Sequence, residues 1–271
     1  ICDLKYDIGE ITLTDFIQCR DLGKPIVGLP VFVTRNFLHN RIWLHTRSGI
    51  QTPKDLEGKR VGLKSYSQTA PFWNRIVLAS EYGVDVNKIT WVNLEPSHVA
   101  EYQNPKNVIP APKGSSLAEM LLSGQIDAAD DPARPYTDRG EKWNYDPHVI
   151  KPLIPEAKIA ATQWHHRTGY YPILHMIVIK QSAIDSCPSL PAELFRAFTR
   201  ARNTWMQNIK DPAALTQRGR DIVGSNFLPY GVEPNRGTLE LACRYSFEHG
   251  LTQKLHNVDD LFGPQMSALQ A

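Results

Sequence analysis

At 271 residues with 42% hydrophobic side chains, the chain can bury a sizeable core and sits at the upper end of what one domain holds, so two lobes fit its length. Its 30 basic and 28 acidic residues nearly balance, and the basic ones are scattered singly, which argues against a nucleic-acid or membrane-surface partner. No apolar stretch reaches the roughly 20 residues of a bilayer-spanning helix. The best run, from Ile173 to Ile179, is broken by His175, so a soluble protein without membrane insertion is expected.

The segment from Pro25 to Phe32, apolar and punctuated by Gly28 and Pro30, reads as a buried strand, and Arg41 to Thr46 as a second that leads into the Ser48-Gly49 turn. Here the chain is expected to change lobe. Thr52 can cap a short helix with Pro53 at its first position and Asp55 nearby, ahead of a strand from Arg60 to Leu63. From Pro71 to Tyr82, apolar residues at Phe72, Trp73, Ile76, Val77 and Ala79 have a helical period that Gly83 stops. Thr90 to Leu94 gives the next strand. The pattern repeats with a helix from Ser116 to Leu122, a stop at Gly124 and a short strand from Ile126 to Ala129. Strands alternating with helices predict an α/β protein with mostly parallel sheets flanked by helices. After a Pro-rich and aromatic stretch, Tyr171 to Lys180 reads as the best-defined strand. A long amphipathic helix follows from Cys187 to Ile209, with Leu194, Phe195, Phe198, Ala201 and Trp205 spaced to face a core. The remainder, to Ala271, reads as helical and loop-rich.

The four cysteines, Cys2, Cys19, Cys187 and Cys243, lie far apart with no CxxC pair, so they read as core thiols with neither a zinc site nor a redox motif. So low a count favours a reducing, cytoplasmic setting. The chain opens Ile1-Cys2-Asp3-Leu4 with neither an initiator Met nor a basic n-region, so no signal peptide is read from it. A periplasmic setting remains the alternative if an export signal precedes residue 1.

Six blocks carry a resemblance that runs over nearly the whole chain: YDIGEITLTDFI, PVFVTRNFLHNRIWLHTRSGI, DLEGKRVGLKSYSQTAPFWNRIVLASEYGVD, LAEMLLSGQIDAADDPARP, RTGYYPILHMIVIK and LPYGVEPNRGTLELACRYSFEHGL. In order and spacing they resemble the 4,5-dihydroxyphthalate decarboxylase family, whose members share the fold of type II periplasmic solute-binding proteins. The resemblance implies a two-lobed α/β fold with an interlobe cleft, residues 1–45 and 168–271 forming a discontinuous first lobe and 46–167 the second. The first strand-helix unit that such proteins carry ahead of the Tyr6 block has no counterpart in the sequence. The family's FRH block reads Phe37-Leu38-His39, with Arg41 two residues on as a compensating cation, and its basic pair before the TG motif reads His166-Arg167.

Cofactor-free removal of CO2 from an aromatic ring begins by protonating the carbon that bears the carboxylate. A ring hydroxyl para to that carbon absorbs the positive charge, and a nearby acceptor for that hydroxyl helps. The carboxylates must be held in a fixed plane, for which forked guanidinium donors serve better than lysine. At matching blocks the chain offers Arg35, Arg75, Arg134 and Arg167 as carboxylate holders and His39 and His175 as proton donors. His175 interrupts an apolar strand, which a core histidine bonded to backbone would explain as well. His39 lies in a polar loop, where a surface histidine is the bland alternative, and for any single arginine that alternative is a solvated salt bridge. Thr69 and the free amides of the helix after the SYSQTAP loop can also receive a carboxylate. Tyr66 and Trp73 offer rings for stacking, although an aromatic at helical spacing is as often core. Glu10 can accept from a ring hydroxyl or orient a histidine.

The pair His165-His166 invites a metal reading with His39, His175 and Glu10, but read on one strand the two imidazoles point to opposite faces, and no metal is assigned. The expected activity is therefore decarboxylation of a hydroxylated aromatic acid, with 4,5-dihydroxyphthalate going to 3,4-dihydroxybenzoate and no organic cofactor. The expected partners are a small aromatic carboxylate and, by resemblance, a second copy of the chain. The alternative is a solute-binding protein that delivers such a carboxylate to a membrane transporter. A pyrimidine-precursor synthase on the same fold would need a cysteine-rich motif that the sequence lacks.

Overall fold

The computed structural model describes residues 2–133, 144–209 and 219–271. The chain forms two compact units: Ile1–Phe37 with Trp164–Ala271, and Leu38–Gln163.

The first unit is built on three strands, β1 (Ile8–Thr12), β2 (Ile26–Arg35) and the later Ile173–Lys180, which lies between them. Both pairings are antiparallel, so the parallel sheet expected from strand-helix alternation does not extend to this unit. Its strands come from the two ends of the sequence and need no crossover helix. Helix α1 (Leu13–Asp21) starts at Thr12, whose hydroxyl accepts from the Asp15 amide, and lays Phe16 and Ile17 on the sheet. Gly28 is required there by close approach, since a Cβ on it would stand 2.6 Å from the Phe16 ring and 2.8 Å from the Met176 methyl. Pro30 cannot donate to the ladder. Around it β2 bulges, and pairing jumps from Leu29 opposite Ile177 to Thr34 opposite His175.

The second unit holds a six-stranded mixed sheet. In chain order its strands are β3 (Ile42–His45), β4 (Arg60–Leu63), β5 (Thr90–Asn93), β6 (Val108–Pro110), β7 (Ala128–Asp130) and β8 (Ile150–Pro152), and their spatial order is β6-β5-β4-β7-β3-β8. Strands β4, β5, β6 and β7 pair in parallel, and β3 is antiparallel to both its neighbours. Helix α2 (Thr69–Tyr82) joins β4 to β5, and α3 (Leu117–Leu122) joins β6 to β7. As the sequence predicts, Thr52 and Asp55 form a capping box over a short 3-10 turn, and Gly83 ends α2 in the left-handed conformation. Val92, Leu117, Met120, Leu121, Ile126 and Ile150 form part of one core cluster.

Helix α4 (Ala157–Thr168) contains the return to the first unit and carries His165 and His166, so the strand expected there is a helix. Strand β9 (Ile173–Lys180) follows, then a short α5 (Gln181–Ser186) and the long helix expected from Cys187 to Ile209, which runs as α6 (Leu190–Asn208). Of the apolar stripe predicted on it, Phe195 is buried, Leu194 and Phe198 are half-buried, and Ala201 and Trp205 are exposed. The stripe therefore covers core only along its first turns, and Trp205 rests edge-on against Phe227 at 5.8 Å. Short α7 (Arg220–Val223), α8 (Arg236–Glu248) and α9 (Val258–Ser267, broken at Gly263) complete the unit. Cys19 and Cys243 are core thiols as expected, whereas Cys187 is exposed and Cys2 is half-buried. Among the described residues no helix is long and apolar enough to cross a membrane.

Candidate functional site

In the first unit, β1 and β9 pair with Thr12 opposite His175 and Glu10 opposite Ile177. Glu10 and His175 are thus diagonal neighbours on one face, within reach of long side chains. His175 Nδ1 lies 2.6 Å from Glu10 Oε1. A carboxylate only accepts, so the contact fixes the proton on Nδ1 and turns Nε2 away from Glu10. Both side chains are partly open to solvent, 40% for His175 and 51% for Glu10. His175 is therefore not the enclosed core histidine that its apolar strand allows for.

Arg35 ends β2 and is 3% exposed. Its guanidinium lies over the Tyr171 ring, 4.3 Å from the centroid, with Nη2 donating to the Tyr171 carbonyl and Nη1 to Asn235 Oδ1 at 2.5 Å. Asn235 has no freedom to turn, because its Nδ2 donates to the carbonyls of Pro229 and Gly231 at 3.0 and 2.8 Å. Among the described residues no carboxylate pairs with Arg35, its Nε has no partner, and burial pushes its pKa down to about 9. It stays cationic at neutral pH, in a setting where an unpaired charge is costly. Beside it, Phe37 stacks on Tyr171 at 5.0 Å and meets Trp164 and His165 edge-on.

In the second unit Arg75, 0% exposed, repeats this arrangement. Its guanidinium lies 3.7 Å from the Tyr66 centroid and donates through Nη2 to the carbonyl of that same tyrosine at 2.8 Å. Burial pushes its pKa down. The loop that brings Tyr66 there is tied by Tyr66 N to Asn93 Oδ1 at 2.7 Å and by Ser67 Oγ to Ser97 Oγ at 2.9 Å, and Thr69, also buried, opens α2.

Several expectations change on this geometry. Trp73 is 0% exposed and belongs to the core, because its helical position points it inward. Tyr66, equally enclosed, gives one ring face to Arg75. His39 is 4% exposed, not a surface histidine, and burial pushes its pKa down to about 4. A neutral imidazole at pH 7 is a poor acid, which counts against His39 as proton donor. Arg41 does not replace the missing cation of the FRH block, because Asp130 and Asp131 engage it at 2.9 and 2.8 Å. Arg167 is exposed near the end of α4, and Arg134 lies outside the described residues. Among the described residues no three His, Cys, Asp or Glu side chains are grouped to hold a metal ion. Sequence reasoning missed Tyr171 and Asn235, although both stand in blocks it had marked, because their roles rest on partners far along the chain.

A curated 4,5-dihydroxyphthalate decarboxylase from Comamonas testosteroni is 29% identical over 278 aligned residues, spanning 96% of this chain and 82% of that protein. A second, from Pseudomonas putida, is 31% identical over 61% of this chain and 65% of its own length. The chain is a relative of the 4,5-dihydroxyphthalate decarboxylases. The family model described as NMT1/THI5 like matches residues 5–108. Among solved structures, the alkanesulfonate-binding protein SsuA of Xanthomonas axonopodis pv. citri superposes with a TM-score of 0.54 at 12% identity, covering 94% of this chain and 79% of its own. The aliphatic sulphonate binding protein SsuA of Escherichia coli gives 0.51 at 14%, covering 96% and 82%. This relative of the decarboxylases therefore has the α/β fold of type II periplasmic binding proteins.

Proposed function

We propose that the protein decarboxylates a hydroxylated aromatic carboxylic acid, 4,5-dihydroxyphthalate to 3,4-dihydroxybenzoate being the simplest case, with His175 as the acid. The observation that carries this reading is the Glu10–His175 pair at 2.6 Å in a chain related to such enzymes over 96% of its length. Protonated His175 delivers a proton from Nε2 to the ring carbon that bears the carboxylate. The para hydroxyl oxygen supplies electron density, and Glu10 stabilises the imidazolium until the proton leaves. The bond to the carboxylate then breaks, its electron pair restores the aromatic ring, and CO2 departs. Among the described residues neither Arg35 in the first unit nor Arg75 in the second pairs with a carboxylate, and each is a group that can hold a carboxylate within its own unit.

Those arginines would serve equally in a receptor that binds an aromatic carboxylate without changing it, as the fold neighbours bind sulfonates. The two readings separate in one assay. Purified protein, stripped of metal and then with divalent metal restored, is incubated with 4,5-dihydroxyphthalate while the ultraviolet spectrum is followed. Conversion that His175→Ala abolishes, and that Glu10→Gln slows about 10- to 100-fold, supports the enzyme. Tight binding with no conversion in either metal state supports the receptor instead.

A further inference from the structure

Arg75 has more donors than partners. Its Nη2 reaches the Tyr66 carbonyl and its flat face rests on the Tyr66 ring, with the Phe72 and Trp91 rings at 6.0 and 5.8 Å. Nε and Nη1 are buried and have no acceptor among the described residues. Asp130 is the acid whose charge reaches it, yet both Asp130 oxygens are occupied, Oδ1 by Arg41 and Oδ2 by the Asn74 amide. Arg41 in the same unit is saturated by two carboxylates, and Arg75 is not.

A third orphan stands beside these two. Tyr102 is half-buried, but its hydroxyl is fully enclosed and without a partner among the described residues. The Tyr102 amide bonds the Val99 carbonyl at 3.1 Å, the Val99 amide bonds Ser97 Oγ at 3.1 Å, and Ser97 is held by Ser67 at 2.9 Å. This chain of bonds pins the Tyr102 turn to the loop that carries Tyr66, and the phenol lies within electrostatic reach of both Tyr66 and Arg75.

All three orphan groups are donors, an Nε–H, an Nη1–H2 and a phenolic O–H, and the only charge among them is positive. Buried polar groups are ordinarily satisfied. A water that accepted from them would bring two hydrogens of its own in need of acceptors, whereas a carboxylate accepts through both oxygens and neutralises the charge. We propose that Tyr102 and Arg75 form an anion pocket in the second unit that takes one carboxylate group, with the Tyr102 hydroxyl donating beside the guanidinium fork. Tyr102 falls in none of the blocks that carry the family resemblance, and its role rests on the aromatic-carboxylate reading given above.

The test uses phthalate, which lacks the ring hydroxyls, as the probe in isothermal titration calorimetry, alongside turnover of 4,5-dihydroxyphthalate. The intact protein is expected to bind phthalate, and Tyr102→Phe to bind it about 10-fold or more weakly, as loss of a hydrogen bond to a charged group implies. The melting temperature should hold or rise, because the variant removes an unsatisfied buried hydroxyl. Arg75→Met should lose phthalate binding while remaining folded by circular dichroism. Equal phthalate affinity in Tyr102→Phe and the intact protein overturns the pocket, as does a lowered melting temperature with unchanged affinity, the sign of a bound water. Failure of the intact protein to bind phthalate also overturns it. Phthalate binding that depends on Tyr102 in a protein with no turnover keeps the pocket and removes the decarboxylase reading. Turnover with Tyr102-independent binding does the reverse.

Discussion

His39 gives the fold a measurable dependence on acid. In an unfolded chain its imidazole titrates near 6.5, and in the folded protein burial pushes it down to about 4. Between these values the unfolded chain takes up a proton that the folded one refuses, so stability is full above about pH 7 and falls as the pH drops. At pH 5 the unfolded histidine is about 97% protonated and the folded one about 9%, and integrating from pH 7.5 to 5 gives a loss of about 2 kcal/mol. The assay is urea unfolding followed by tryptophan fluorescence at both pH values, for the intact protein and for His39→Phe. Other groups titrate alike in the two proteins, so the variant should lose about 2 kcal/mol less on acidification. Equal losses in the two proteins would refute the burial of a neutral imidazole at this position.

Arg35→Met removes a desolvated charge while orphaning one side-chain and one backbone acceptor. These effects are of similar size, so unfolding free energy should stay within about 2 kcal/mol of the intact protein, while phthalate binding in calorimetry is lost. A stability loss of 4 kcal/mol or more, on the order expected for breaking a paired buried ion, would make Arg35 structural. Gly28→Ala places a methyl against Phe16 and Met176, and thermal or urea unfolding should show a loss of about 1–3 kcal/mol from overpacking.

What was legible in the sequence was local. The Thr52 capping box, the Gly83 stop and the strand at Arg60–Leu63 are each set by residues a few positions apart, and they were placed to within a residue or two. The antiparallel sheet of the first unit was not legible, because β9 meets β1 more than 160 residues away and no local pattern encodes a partner at that range. The site divides the same way. Glu10 and His175 were named from their blocks, but the bond between them is a consequence of register. Whether an arginine is neutralised is likewise a long-range fact. Arg41 meets Asp130 across 89 residues, and Arg35 meets a neutral asparagine across 200. The helix carrying His165 and His166 was missed because its apolar periodicity is weak beside its polar content.

The position of β9 between β1 and β2 also orders the events of biosynthesis. The second unit is one continuous stretch, and its described strands have all been made by residue 152. Strands β1 and β2, made first, do not pair with each other in the finished sheet, and both must wait for Ile173–Lys180 to leave the ribosome. Until then β2, apolar and buried along most of its length in the finished unit, has no partner strand, which makes it the segment that a chaperone has most to shield.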